Sequence, residues 1–428
     1  VRQSRGSAAT ASHRSASVQP GASQLTEPDY GEQRGDVARV FGAREAALLH
    51  DDLQAWLATV DPAQPALVKS ETTLFTNLRQ LPLQSYTWDY DGKTQLSGYP
   101  LPDSVKATLS SPQQVYSPGM TVTYQLRGFD PQPTSDPYVP IMVQRAGRWY
   151  VGGDDTRAAT FDESFDEPWT AGPVKVRVSA HALVIVSPRD AGRIAALSKQ
   201  AEVAVAAVAS LWPSGWSHKV VLYGTRDRDV FASFLGRNRS VSEASALTLG
   251  VADRKRGAAD DVRVVMNPSD VPPGDPFVPV LLRHEFTHVA QWNTQAAGTP
   301  RWVIEGIAEY TAHRHHLSQA GVSTKIVDDA RAHRWPSRMP SSADFYGPEP
   351  GETYHYDMAW LAWEYMAERY GEAKVKAMYG RLAQIGTTPD SPAALRQEAA
   401  AFPVVLHMSE TAFVMAVQAW TARSFHPA

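Results

Sequence analysis

The sequence predicts an α+β fold in two units, and three observations carry that expectation. Its 428 residues are too many for one ordinary domain and suit two domains with a tail. A hydrophobic share of 43% and a charged share of 20% are globular values, enough to build sizeable cores. The periodicity also changes along the chain: helical then strand-like as far as Thr170, short apolar strands among helices after residue 174, and almost wholly helical from Pro276. The expected division is a tail over 1–35, a first unit over 36–170 and a second over 174–428.

Residues 1–35 are rich in Ser, Ala, Gly, Gln and Arg and poor in large apolar groups. Such a segment buries too little surface to order itself and reads as a disordered tail. The chain opens on Val1 and shows no apolar signal-peptide core. The tail therefore fits the stalk of a longer precursor, below an upstream signal or anchor, which favours an extracellular or cell-surface setting.

The first unit opens on a helical pattern through Val37, Val40, Phe41, Leu48, Leu49, Leu53, Trp56 and Leu57, stopped by Asp61-Pro62. The rest of the unit reads as strand. Met120 to Arg127 alternates, with Val122, Tyr124 and Leu126 on one face and Thr121, Thr123 and Gln125 on the other. Tyr138 to Arg145 and Arg148 to Val151 flank Ala146-Gly147, which predicts a hairpin turn. Residues 154–172, acidic and carrying Pro168 and Gly172-Pro173, read as the linker. Beyond it come a short strand Ala182 to Val186, an alanine-rich helix Asp190 to Leu211, and strands His218 to Tyr223 and Val262 to Met266 with helical pieces between them.

A long helix followed by a curved antiparallel sheet resembles the NTF2-like fold, and "GRWYVGGDD" is similar to the last strand of such domains. The resemblance implies a binding, dimerisation or catalytic module. No Asp/His pair in this unit demands catalysis, so it reads as a structural or interaction domain.

Composition excludes several chemistries. With no cysteine there is no thiolate zinc site, iron–sulfur cluster, cysteine nucleophile or disulfide. A net charge of -4 gives no electrostatic argument for nucleic acid or an anionic membrane. No apolar run reaches the ~20 residues that span a bilayer; the longest, Ala201 to Trp212, reads as a helix of a water-facing fold.

The central feature is Leu281-Leu282-Arg283-His284-Glu285-Phe286-Thr287-His288-Val289-Ala290-Gln291-Trp292, an H-E-x-x-H pattern within a helical stretch. Residues four apart on a helix lie ~40° apart around its axis, so the two imidazoles share a face and can share a metal. Neutral imidazole suits zinc, and a catalytic site wants three protein ligands with a fourth position open to water. Glu285 lies beside the ligand face, where it can take a proton from that water. Seventeen residues past His288, at Glu305, comes Pro300-Arg301-Trp302-Val303-Ile304-Glu305-Gly306-Ile307-Ala308-Glu309-Tyr310. Glu305 and Glu309 are one turn apart, so one can ligate the metal while the other orients a ligand histidine. Gly298 and Pro300 between the two helices let the chain reverse.

The pair "HEFTHVAQ" and "PRWVIEGIAEY" resembles the gluzincin metallopeptidases, in particular the bacterial peptidase MA-like group, over roughly residues 174 to 385. That resemblance implies one zinc per chain held by His284, His288 and Glu305, with Glu285 as general base and Glu309 behind the ligands. It implies a peptide or protein substrate, added as a strand to an edge that Val262 to Asn267 would supply. It also implies a later tyrosine or histidine donating to the oxyanion. Tyr356, three residues before Ala359 in Thr353-Tyr354-His355-Tyr356-Asp357-Met358-Ala359, fits best, with His355 and Tyr354 as alternatives. An endopeptidase is favoured over an aminopeptidase, because no G-x-M-x-N-type anchor for a substrate amine occurs. The competing readings are a zinc-stabilised binding protein without activity and a zinc hydrolase of a non-protein substrate.

Two further clusters are read as structural. His313, His315 and His316 have no carboxylate partner at ligand spacing and read as a solvated helix end. The acidic run Asp162 to Glu167 lacks the alternating oxygens and glycine of an EF-hand and reads as charged linker.

Overall fold

The expected first helix is broken into two, and a third comes after it. In the computed structural model, which describes residues 30–92, 94–155, 167–225, 231, 246–253, 258–266, 275–314, 321–346 and 352–425, α1 runs Tyr30–Leu49, α2 Leu53–Leu57 and α3 Pro65–Leu78. The helix therefore begins inside the expected tail, of which residues 1–29 lie outside the described part. Asp51 breaks α1 from α2 with φ 58°, and the Asp52 carboxylate caps α2 by accepting from Ala55 N–H at 2.9 Å. Helix α3 stands where strand was expected. Its buried face mixes Phe75 and Leu78 with Glu71 and Asn77, so the apolar period is interrupted. Glu71 is matched by Arg44 at 2.7 Å and by Trp56 Nε1–H at 2.9 Å.

The strands of this unit are β1 (Leu83–Tyr90), β2 (Gln114–Tyr116), β3 (Met120–Leu126), β4 (Thr134–Tyr138), β5 (Pro140–Arg145) and β6 (Arg148–Asp154), with a short helix α4 (Asp103–Lys106). They form two three-stranded sheets, β1-β3-β4 and β2-β5-β6, antiparallel throughout. The expected β5/β6 turn is present: Ala146 and Gly147 have φ 48° and 76°, the two positive angles of a type I′ hairpin.

The end of the expected linker is core. After residues 156–166, which are outside the described part, Glu167 is buried and the helix α5 (Pro168–Ala171) inserts Trp169 between the units. Trp169 stands edge-on to Tyr124 of the first unit and to Tyr223 of the second, at 5.5 and 6.2 Å.

The expected second unit begins with β7 (Lys175–Val178), β8 (Ala182–Val186), α6 (Ile194–Leu211), β9 (Val220–Gly224), β10 (Ala246–Asp253) and β11 (Ala258–Met266), in a sheet ordered β10-β11-β9-β8-β7. Strands β8 and β9 are buried along their whole length, and their alternate residues separate cleanly. Leu183, Ile185, Val221, Tyr223 and Val265 join the core of the first unit. Ala182, Val184, Val220, Leu222 and Val264 pack on α6 and on the helix after the sheet. A sheet covered on both faces reads as continuous apolar runs, as these do. The segment Pro188–Leu211 is apolar and long enough to cross a membrane by composition, but Leu197, Ala201, Val205 and Val208 of α6 pack on this sheet.

Two expectations about the sheet fail. Residues 246–253 are strand rather than helix, and 262–266 are not at an edge. Strand β11 pairs antiparallel with β10 along its length and parallel with β9 at Val264–Met266, so β10 is the outer strand on that side; Asn267 lies outside the described residues.

A buried polar cluster joins the units across the sheet. Arg263 of β11, 1% exposed, donates to Asp130 at 2.9 Å and to Tyr223 Oη at 3.0 Å. Tyr223 and Tyr124 in turn donate to Glu167.

The helical half comprises α7 (Phe277–Gln291), α8 (Arg301–His313), α9 (Thr324–Arg331), α10 (Glu352–Tyr370), α11 (Glu372–Leu382), α12 (Pro392–Leu406) and α13 (Glu410–Ser424). Its core is aromatic: Trp302 of α8 stacks on Trp363 of α10 at 5.4 Å and on Phe402 of α12 at 6.4 Å. Two glycines permit this packing. A Cβ on Gly306 would meet Trp363 Cδ1 at 2.7 Å and Ala359 O at 2.8 Å, and one on Gly298 would meet Thr387 O at 1.8 Å. Gly306 lets α8 cross α10 closely. Gly298 seats the α7–α8 reversal on the chain after α11, where its N–H donates to Ile385 O at 2.8 Å.

Candidate metal centre

Helix α7 buries Leu282, Phe286 and Ala290 against the sheet, and that placement turns His284 and His288 toward α8. Helix α8 is fixed by the burial of Trp302, Val303 and Ile307, which brings Glu305, 3% exposed, up to both rings. His284 Nε2 and His288 Nε2 are 3.0 Å apart, and Glu305 Oε2 lies 3.3 and 3.5 Å from them. A tetrahedral zinc ion with bonds of about 2.0–2.1 Å sets its ligand atoms about 3.3–3.4 Å apart. The three atoms thus have the spacing of one face of that tetrahedron, and all three are donors zinc accepts. The residues fit the ion.

The surrounding charge fits a cation as well. Burial alone would favour a neutral His284, yet Glu309 and Glu305 outweigh it and raise its pKa well above the usual histidine value. Burial likewise opposes ionisation of Glu305, but His288, His284 and Arg301 hold its pKa well below the usual range. Glu309 is brought to about 2, with His284 and His313 overcoming its burial. A metal bound at His284 would have to displace the proton that these carboxylates favour there.

The residues behind the ligands form a chain. Glu309 Oε1 is 3.0 Å from His284 Nδ1, the nitrogen facing away from the triangle, and Oε2 is 3.3 Å from His313 Nε2. Arg301, one turn before Glu305, pairs with its second oxygen at 2.7 Å. His313 stacks on Trp360 at 4.3 Å, so it is part of this support rather than a solvated helix end; His315 and His316 lie outside the described residues. Next to them, burial and the Glu309 charge push Asp357 up to about 7.

Glu285 lies to the sheet side of the ligand face, 5% exposed. Thr248 of β10 donates to its Oε2 at 2.6 Å. Thr248 comes two residues after Ala246 and so shares its helix-facing side of the strand. Nothing in the sequence pattern singled out Thr248, because the contact depends on β10 being the strand beside α7. Arg301 could have been found from its i,i+4 spacing to Glu305.

The three oxyanion candidates point to different places. The Tyr356 ring lies 6.4 Å from that of His284. Tyr354 packs under Lys325 Nζ, 5.3 Å from its ring centroid, and burial pushes its pKa up to about 12. His355 turns to Phe345 at 6.0 Å. Among the described residues, Tyr356 is the one of the three whose ring borders the triangle.

Compared with known proteins, the chain matches no protein-family model and no curated protein.

Proposed function

We propose that the chain is a zinc-dependent peptide hydrolase of the gluzincin kind, with the metal site in the second unit and an NTF2-like first unit beside it. The observation that carries this reading is the triangle of His284, His288 and Glu305 ligand atoms, 3.0–3.5 Å on each side, with Glu285 beside it and outside it. A structural zinc site uses all four positions, whereas three ligands and a free base suit hydrolysis.

Zinc bound there supplies Lewis acidity to a carbonyl and lowers the pKa of water. The residues of the chain do the rest. Glu285, aimed by the Thr248 hydroxyl, accepts a proton from the attacking water as the new C–O bond forms, and delivers it to the nitrogen as the C–N bond breaks. Tyr356 donates to the carbonyl oxygen as negative charge grows on it, a role worth about 3 kcal/mol in comparable sites. Glu309 holds His284 with its Nε2 toward the ligand triangle, and Arg301 holds Glu305.

The test pairs zinc content with cleavage of a mixed peptide library, for the native protein and Glu285→Gln. One zinc in both proteins with cleavage by the native one alone is the expected result. Zinc in both and cleavage by neither would replace the reading with a binding role or a non-peptide substrate. Absence of zinc from metal-replete protein would end it.

A further inference from the structure

Strand β10, which carries Thr248, is held from both faces. On one face Thr248 donates to Glu285 Oε2 at 2.6 Å and lies 3.1 Å from Glu285 O, so it is seated on α7 at the proposed base. Successive residues of a strand point to opposite faces. The neighbours of Thr248, Leu247 and Leu249, therefore turn the other way, into the core that holds Phe41, Trp56 and Trp88 of the first unit. Strand β4 of that unit lies against β10.

The first unit also grips β11, the ladder partner of β10. Arg263 stands opposite Leu249 in that ladder and donates to Asp130 at 2.9 Å. Asp130 is anchored within its own unit, where it accepts from Leu126 N–H at 2.8 Å. Two residues before Arg263, Asp261 accepts from the Thr134 hydroxyl of β4. All four polar residues are buried.

This grip bears on Glu285 because β10 is an outer strand of its sheet. An outer strand is paired along one edge only, so the groups packed on its faces fix where it stands. A catalytic group misplaced by about 1 Å can cost roughly a hundredfold in rate. The three proposed metal ligands ride on α7 and α8, so the grip reaches the base without passing through them.

We infer that the first unit is part of the hydrolytic site: Thr134 and Asp130 are positioning residues that hold the β10–β11 pair, and through Thr248 they aim Glu285. This role rests on the hydrolytic reading of the metal centre.

A double-mutant cycle on the full chain tests it, with kcat read on a peptide that the native protein cleaves. Thr134→Val removes the bond to Asp261 and should lower kcat roughly threefold, a modest coupling for linked residues, with KM and zinc content unchanged. Thr134→Ser should restore the rate. With Thr248→Val already present, Thr134→Val should cost nothing further, because the route to Glu285 is then cut. Amide exchange over residues 246–253, followed by mass spectrometry, should quicken in Thr134→Val. Leu249→Ala, which loosens β10 from the first unit by a different contact, carries the same expectations should Thr134→Val fail to fold. Losses that multiply in the cycle, a native rate in the single variant, or unchanged exchange would overturn the inference and leave the hydrolytic reading standing. A native protein that binds zinc and cleaves no peptide would remove both.

Discussion

Two buried clusters of charge, on opposite faces of one sheet, solve the same problem in different ways. On the face toward the first unit, Asp130 and Glu167 are met by the Arg263 guanidinium and by the hydroxyls of Tyr223 and Tyr124. That cluster is closed by the chain's own side chains. On the face toward α7, Glu305 and two imidazoles bring three electron-pair donors within 3.5 Å of one another, and Glu309 and Glu285 stand close behind. Arg301 pairs with the outer oxygen of Glu305. On the proposed reading, an added cation completes that cluster. A third arrangement is Glu398 on α12, which accepts from Trp302 Nε1–H at 2.6 Å; burial pushes its carboxyl up to about 7, so it is completed by a proton. On that reading, carboxylates answered by the chain's own guanidinium and phenol groups hold the fold, and those left to imidazoles hold a ligand.

The largest effect should come from opening the closed cluster. Arg263→Leu leaves Asp130 and Glu167 buried without their cation, a change that typically costs about 3–5 kcal/mol. Chemical denaturation should show that loss equally with and without zinc, and a zinc-dependent loss would mean that the two faces are not independent. Next comes Glu398→Gln, which keeps the acceptor for Trp302 but removes the ionisation. Because the folded pKa lies above the unfolded one, the group's stabilisation is full below the unfolded value and lost as pH rises through about 7. The gap between 4.5 and about 7, at about 1.36 kcal/mol per pH unit, sets a ceiling of about 3 kcal/mol. Glu398→Gln should therefore melt above the native protein at pH 8 and close to it at pH 4, and a constant difference across that range would refute the protonation account.

The contrast between the clusters also explains what the sequence could reveal. The candidate metal face was legible because its residues sit at helical spacing within two short segments, so His284, His288, Glu305 and Glu309 can be placed without knowing the rest of the fold. The closed cluster was not, because Arg263 meets Asp130 from 133 residues away and no local period encodes that pairing. Helix α3 was hidden for the same reason, since Glu71 and Asn77 occupy its buried face and their partners lie in other elements. Strand β10 is a different case. Leu247, Leu249 and Val251 do alternate with Thr248 and Gly250, but so short a run does not separate strand from helix by period alone. Its antiparallel register with β11 is what fixes it as strand.

Removing the cation from the open cluster should cost less than removing Arg263 from the closed one. At free zinc 100 times its Kd, binding adds about 2.7 kcal/mol. A chelator should lower the stability of the native protein by that increment, and its melting temperature with it, and zinc should restore both. His288→Ala should ignore both treatments, whereas Arg263→Leu should keep the full zinc response on a lower baseline. A native protein whose melting is indifferent to chelator and zinc would show that the triangle holds no metal.

The smallest effect tests the strand against the base. Thr248→Val keeps the shape and removes the hydrogen bond to Glu285 Oε2, 2.6 Å in length. A hydrogen bond to a charged group contributes about 1.5–3 kcal/mol, part of which water can replace at a site open to substrate. On the hydrolytic reading, kcat should fall roughly tenfold, about 1.4 kcal/mol, with KM and zinc content unchanged, because Thr248 touches neither ligand nor metal. Thr248→Ser should recover most of the rate, since it restores the hydroxyl without the methyl. A fall in zinc content, or a loss that serine does not recover, would make Thr248 a packing residue of the β10–α7 contact and leave Glu285 positioned by its helix alone.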